Sequence, residues 1–378
     1  MTQKAKIVLG LGFGDEGKGL VTDFLCRQSF SRKIVVRFSG GQQCGHNVVI
    51  GDKSHVHSNF SSGTLRGLDS YFSEHCTIYP ITIRNEAEVL EKKLVYYPKV
   101  YINPLAKLTT PADVLFNQMT EKSNKHGSCG LGVGATMKRV NDSPYQLYAL
   151  DLSNREILEK KLESIKKYYF DKLNFQNFNS KDNFNINYNI LLKEYLESID
   201  TLVSNKIIVL QNYDFLNNFH ELIFEGSQGI LLDKDHGIFP NVTYANTTSK
   251  NALEICKKLD IDKIEIFYVT RCYQNRHGNG WMSNEDTIEL INNEKEINVY
   301  NEWQGKFRTG EFDYNLLLQA VSIDCCYSYN VQKKNLVVTC LDQRPDFKLD
   351  EEKLVNFNKV YFSYSPDSQT IKLQNEYI

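Results

Sequence analysis

The residues best placed for chemistry lie near the start of the chain, in Gly12-Phe13-Gly14-Asp15-Glu16-Gly17-Lys18-Gly19. This stretch follows the apolar run Ile7–Leu9 and precedes a helix-compatible segment, so the GxxxxGK frame falls where a phosphate loop must fall. Its glycines let backbone N–H groups close around phosphate oxygens, and Lys18 supplies a point charge. A phosphate loop ordinarily carries Ser or Thr after the lysine to hold Mg²⁺, and here that position is Gly19. The metal then needs another oxygen, and Asp15 is the nearest candidate. A carboxylate beside a transferred phosphate serves as metal ligand, as general base, or as both.

Two further loops carry polar groups after predicted strands. Gly40-Gly41-Gln42-Gln43-Cys44-Gly45-His46 closes the run Ile34–Phe38. Loops at the ends of adjacent parallel strands converge on one crevice, where His46 would act as proton donor or electrophile. The third stretch is Glu225-Gly226-Ser227-Gln228-Gly229, followed by Asp233, Asp235-His236-Gly237 and Pro240-Asn241-Val242-Thr243. It reads either as a holder of substrate phosphate through neutral donors or as a turn-rich connection. His55 and His57 alternate along a strand-like segment, but as a metal pair they lack a third ligand nearby in sequence.

The positioning elements follow from the hydrophobic pattern. Apolar runs at Ile7–Leu9, Ile34–Phe38, Leu222–Phe224, Ile264–Thr270 and Leu336–Cys340 are continuous rather than alternating, as in strands buried on both faces. They predict an α/β fold of P-loop-like type, a largely parallel central sheet covered by helices. Between 151 and 220 the composition shifts to Lys, Asn, Tyr and Leu; Ser153 and Glu156 form a capping-box pattern before Leu158, Leu162, Ile165 and Tyr169. That predicts a peripheral, mainly helical insertion, with the Asn-rich piece at 174–190 either a flexible loop or a drift in base composition. No linker divides the chain, so residues 1–378 are expected to form a single domain.

Composition narrows the class. The chain has 378 residues, 41% hydrophobic, which is enough for a substantial core, and a formal charge of −2 with both signs interspersed. No whole-chain field draws it to nucleic acid or to an anionic membrane. Nine cysteines without a CxxC pair argue against a disulfide framework and a zinc knuckle. With no signal-like or bilayer-spanning apolar run, a cytoplasmic protein is expected.

Taken together, GDEGKG at 14–19, GGxxxGH at 40–46, EGxQGxLLDxDHG at 225–237 and VTxxNTT at 242–248 resemble the adenylosuccinate synthetase family, in the family's order. The resemblance continues through Thr270-Arg271, Arg308-Thr309-Gly310, Leu341-Asp342 and Ser365-Pro366-Asp367. It implies a Mg²⁺- and GTP-dependent ligase, working as a homodimer, that joins aspartate to inosine monophosphate (IMP) through a 6-phosphoryl intermediate. Asp15 would take the purine N1 proton and ligate Mg²⁺ with the Gly45 carbonyl, while His46 assists phosphoryl transfer and Lys18 offsets charge. Gly14, Glu16, Gly17, Lys18, Gly19, Arg308, Cys340, Asp342 and Ser365 match positions on the GTP side. Gln43, Cys129, Arg139, Gln228 and Thr243 match positions on the IMP side, with Arg139 standing in for an arginine that crosses from the partner subunit. Gly305, Lys306 and Arg308 fall in the amino-acid loop.

The chain departs from the family pattern around its ligands. The stretch Glu302-Trp303-Gln304-Gly305-Lys306-Phe307-Arg308 is shorter and poorer in cations and hydroxyls than a dicarboxylate clamp requires. Cys340 replaces the lysine of the guanine-reading Lys-x-Asp, leaving ATP as the alternative to GTP, and Leu131 lies where an arginine is common. Three readings stand: adenylosuccinate synthesis itself, a ligase of the same fold with another purine nucleotide or amine, and a non-catalytic nucleotide-binding paralogue.

Overall fold

A computed structural model describes residues 3–28, 31–124, 128–175, 181–294, 296–298, 300, 303, 305–354 and 357–374. Ten strands form one sheet: β1 (Lys4–Gly10), β2 (Lys33–Arg37), β3 (Ser70–Phe72), β4 (Val100–Ile102), β5 (Ile208–Leu210), β6 (Glu221–Gly229), β7 (Lys263–Arg271), β8 (Lys333–Thr339), β9 (Lys359–Phe362) and β10 (Lys372–Leu373). Their order is β10-β9-β8-β7-β1-β6-β2-β3-β4-β5, parallel throughout except for the edge pair β9/β10. The five apolar runs read from the sequence are the five contiguous central strands. One expectation is corrected. β1 and β2 are not neighbours, because β6 lies between them and pairs with both.

Period-two alternation divides these strands between two cores. Ile7, Leu9, Ile34, Val36 and Phe224 face one side, against Ala252 and Ile255 of α7 (Lys250–Lys258) and Leu317 and Ala320 of α8 (Tyr314–Ser328). Val8, Val35, Ile223, Phe267 and Val337 face the other, against Val21, Phe24 and Leu25 of α1 (Lys18–Arg27). Burying a side chain such as Leu25 is worth about 1.5–3 kcal/mol, so α1, which carries Lys18, is anchored by its apolar face.

A third cluster gathers α2 (Pro80–Leu94), α3 (Pro111–Asn124), α5 (Arg155–Phe175) and α6 (Lys181–Ser204) beyond the β3–β5 end of the sheet; α4 (Val133–Asp142) adjoins α3. Leu158, Leu162, Ile165 and Tyr169 are buried there, as their helical spacing requires. The cap differs from the expected one. Ser153 belongs to a preceding 3-10 turn, and the Asn154 side chain accepts from Ile157 N at 3.1 Å. Residues 181–190, for which a flexible loop is one of the two readings, are helical; 176–180 lie outside the described residues. Among the described residues no helix is long and apolar enough to cross a membrane.

Candidate active site

β1 ends at Gly10 and α1 begins at Lys18, so residues 11–17 form the turn at the carboxyl end of the central strand. Gly17 caps the helix with φ 102°, and a Cβ there would sit 3.2 Å from Thr339 Cγ2; only glycine fits without strain. Glu16 points into the loop. Its Oε1 accepts from Gly12 N at 2.9 Å and Gly14 N at 2.7 Å, and its Oε2 pairs with Lys18 Nζ at 2.9 Å. Burial works to raise this carboxyl, but Lys18 and the backbone donors outweigh it and hold it below the usual range. Lys18 also donates to the Gly14 carbonyl. Glu16 therefore organises the loop from within, and it is not among the residues that line the cavity over this turn.

A cavity of about 380 Å³ opens over this turn, lined by Gly14, Asp15, Gly17, Lys18, Gly19, Gly45, His46, Arg271, Cys340, Asp342 and Ser365, together with Asn292, Glu294, Glu296 and Asn298. Burial raises the Asp15 carboxyl, opposed by Arg271 and Lys18. Arg271 donates from Nε to the Asp15 carbonyl and from Nη1 to Glu296 Oε2, both at 2.6 Å. Cys340 sits at φ 61° where the chain leaves β8, and burial raises its thiol and the Asp342 carboxyl.

His46 begins a short hairpin, His46–Ile50 against Lys53–His57, and its ring is buried. Its Nδ1 lies 2.8 Å from Glu225 Oε1, which leaves Nε2, 3.4 Å from the Ser227 carbonyl, as the atom for proton exchange. Glu225 also accepts from Ser62 N at 3.2 Å and from the Ser62 hydroxyl, and Arg37 Nη1 is 3.9 Å away. Burial acts to raise Glu225, but the imidazole, Arg37 and Ser62 overcome it and lower the carboxyl to about 2. Burial depresses His46 below its ordinary value, against the pull of Glu225. The inserted strand β6 thus supplies the group that orients His46; the loops converge across it.

A second cavity of about 500 Å³ is lined by Gln43, Cys129, Gln228 and Thr243, with Val133, Gly134, Lys138, Arg276 and His277. Gln43 Oε1 and Nε2 and Gln228 Oε1 are buried without hydrogen-bond partners, so they are oriented for a ligand's donors and acceptors. Arg276 donates to Trp281 O at 2.7 Å and Asn241 O at 2.9 Å, stacks 4.3 Å over the Phe13 ring, and keeps Nε unpaired. Burial and the nearby Arg308 lower it to about 10. Glu225 and Gln228 both belong to β6, so the two cavities share that strand's carboxyl end.

Other expected contacts fall elsewhere. Arg139 is 1% exposed and spends its guanidinium on Asp113 Oδ1 and Oδ2, at 2.9 Å each, and on the carbonyls of Leu108 and Tyr145. A side chain so committed cannot cross to another subunit. Arg308 lies in the strand Phe307–Gly310 and holds Gly278 O, Gly280 O and Glu285. Gly305, Lys306 and Arg308 line neither cavity, although the Trp303 ring packs under Gly130, beside Cys129. Glu302 and Gln304 lie outside the described residues. Sequence reasoning passed over the roles of Glu225, Arg271, Arg276 and Glu296. For the first two the signal was their place at a strand's carboxyl end; for Arg276 and Glu296 no sequence signal existed.

A glycine turn with an embedded lysine, a half-buried carboxylate and an imidazole–carboxylate pair, all at the carboxyl end of a parallel sheet, has the layout of a P-loop-like site. The family model for adenylosuccinate synthetase matches residues 7–345, and the chain belongs to that family. Adenylosuccinate synthetase of Borrelia duttonii is 32% identical over 257 residues, 64% of this chain and 55% of that sequence; the chain thus spans about half the length of such relatives. The Thermoplasma volcanium enzyme is 28% identical over 97% of this chain and 80% of its own length. Among solved structures, fully ligated adenylosuccinate synthetase from Plasmodium falciparum superposes with a TM-score of 0.71 at 19% identity, covering 98% of this chain and 99% of that one. Cyanophage S-2L succinoaminodeoxyadenylate synthetase, bound to dGMP and dATP, gives 0.65 at 14% identity, covering 99% and 96%.

Proposed function

We propose that this protein joins aspartate to IMP at the expense of GTP, giving adenylosuccinate, GDP and phosphate. The observation that carries this reading is the buried His46–Glu225 pair facing the same cavity as Asp15 and Lys18. A binding module has no use for an oriented proton carrier beside a phosphate loop. The γ-phosphoryl group passes to purine O6 as Asp15 accepts the N1 proton; the aspartate amine then attacks C6 and phosphate leaves. A bare oxygen at C6 leaves poorly and phosphate leaves well, so the first transfer makes the second possible. Burial, which raises the Asp15 carboxyl, suits it to accept a proton.

The Asp15 carboxylate and Gly45 carbonyl line one cavity and offer the hard oxygen donors that Mg²⁺ prefers. When bound there, Mg²⁺ would neutralise charge on the transferring phosphate. Gln43, Cys129, Thr243 and Gln228 form the purine-nucleotide side, and Asp342 and Ser365 the GTP side. Family membership supports the homodimer, the single-domain organisation with 151–220 as a helical insertion, and a cytoplasmic setting. The second reading, a different purine nucleotide or ATP as donor, is favoured by Cys340 and by the cyanophage fold relative bound to dGMP and dATP.

The test crosses GTP and ATP with IMP, GMP and dGMP and with aspartate or other amines, following phosphate release and product mass. Adenylosuccinate from GTP, IMP and aspartate alone supports the proposal. Turnover with another combination transfers it to the second reading, and tight nucleotide binding without turnover overturns both.

A further inference from the structure

The hairpin that carries His46 holds a second polar cluster on its other strand. In Lys53–His57 the alternation buries His55 and His57 and exposes their neighbours, so both imidazoles stand on one face. Helix α2 brings Glu86 to them. His55 Nε2 is 3.3 Å and His57 Nδ1 3.8 Å from the same oxygen, Glu86 Oε1, and the three donor atoms lie within 4.8 Å of one another. The two histidines have no third ligand nearby in sequence because Glu86 lies 29 residues beyond His57; the fold supplies it.

We propose that His55, His57 and Glu86 bind one divalent transition-metal ion of the zinc class, with water in the fourth position, at a site separate from the Asp15 cavity. Two ligand atoms on a tetrahedral zinc ion, each about 2.0–2.1 Å from it, are about 3.3 Å apart. The observed 3.3 and 3.8 Å lie near that spacing, and the remaining histidine–histidine edge, within 4.8 Å, must contract to it. His57 is fully buried and neither ring nitrogen has a hydrogen-bond partner, which is costly for an imidazole with no ligand to satisfy it. The carboxylate is held from behind: Glu86 Oε2 accepts from Asn59 N at 2.6 Å, Asn59 Nδ2 at 2.9 Å and Ser58 N at 3.2 Å. Such outer contacts aim a ligating carboxylate.

Two imidazoles and one carboxylate suit zinc-class ions rather than Mg²⁺. Lys93 Nζ, 3.2 Å from His55 Nδ1 and 2.6 Å from the Ser54 carbonyl, opposes the ion by charge and by occupying the nitrogen that must carry a proton when Nε2 ligates. Because His57 pairs in register with His46, an ion here braces the strand opposite the proposed proton carrier. The inference stands independently of the proposed reaction.

The experiment strips the purified full chain with chelator and titrates it with Co²⁺, then Zn²⁺, under excess Mg²⁺ to occupy oxygen-donor sites. One Co²⁺ per chain with the visible absorption of four-coordinate cobalt, displaced by Zn²⁺, is expected. His55→Asn and Glu86→Gln should each weaken binding by at least about tenfold to a hundredfold. Lys93→Ala should tighten it, a result that a purely structural hydrogen-bond cluster would not give. Absence of stoichiometric binding by the wild type overturns the proposal, as does unchanged affinity in both ligand variants, which would place the ion elsewhere.

Discussion

The two cavities at the carboxyl end of the sheet are built on opposite electrostatic plans. In the first, each cation has a carboxylate partner, Lys18 with Glu16, Arg271 with Glu296 and His46 with Glu225, while the Asp15 and Asp342 carboxylates face the cavity. In the second, the lining is largely neutral, and the Gln43 and Gln228 amides stand buried without partners. Preorganised charge suits a site where charge develops during reaction, because the groups need not move when it does. Unsatisfied amides suit recognition, because they reward only a ligand that completes them and penalise one that does not. The difference separates a place for chemistry from a place for selection.

Removing the chemistry should have the largest effect. Asp15→Ala is expected to lower turnover by at least about 10²–10⁴-fold, the usual contribution of a positioned base, with the unfolding midpoint little changed. Single-turnover phosphate release measures it, and turnover at the wild-type rate would remove Asp15 from the mechanism. Glu225→Gln should cost about 10²-fold by leaving His46 without its orienting anion. It also has a pH signature. Folded Glu225 lies at about 2 against an ordinary 4.5, so its stabilisation is full above pH 4.5 and is lost as pH falls towards 2. His46, lowered from 6.5, destabilises the fold as pH drops below 6.5, because the unfolded chain takes up that proton first. The stability gap between wild type and Glu225→Gln, read from urea midpoints, should therefore close below pH 4.5; a gap constant down to pH 2 would mean that the carboxylate is not held ionised.

The same contrast decides what was legible in the sequence. The paired-charge cavity is announced by Gly14 to Gly19 and Gly45-His46, since a backbone that wraps phosphate must be glycine-rich and contiguous. The five central strands are legible for a related reason: burial on both faces leaves continuous apolar runs. β3, β4 and β5 have three residues each and carry too little pattern to be seen. Nor could one-dimensional reasoning place β6 between β1 and β2, so it missed that Glu225 meets His46 across 179 residues. Arg139 differs: it matched a ligand position, but Asp113, itself held by the Tyr169 hydroxyl and remote in sequence, claims it for the core.

That correction has its own test. Arg139→Met strands the Asp113 carboxylate in the interior and should destabilise the fold by about 3–5 kcal/mol. Because the guanidinium touches no cavity, the folded fraction should keep its KM for the purine nucleotide. A raised KM with unchanged stability would restore the partner-subunit role and remove the structural one.

The recognition cavity should yield the smallest but most selective change. Gln228→Ala deletes one unsatisfied amide, and a single neutral hydrogen bond contributes about 0.5–1.5 kcal/mol, so KM for the purine nucleotide should rise by roughly threefold to tenfold. The substitution removes a buried polar atom that lacks a partner in the free protein. The apo fold should therefore hold its stability or gain slightly, opposite in sign to the loss expected for Arg139→Met. Both KM and kcat should be measured with the GTP-side substrate saturating. A fall in kcat at constant KM would mean that Gln228 acts on the reacting atoms, and the division between a charged cavity for chemistry and a neutral one for selection would not hold.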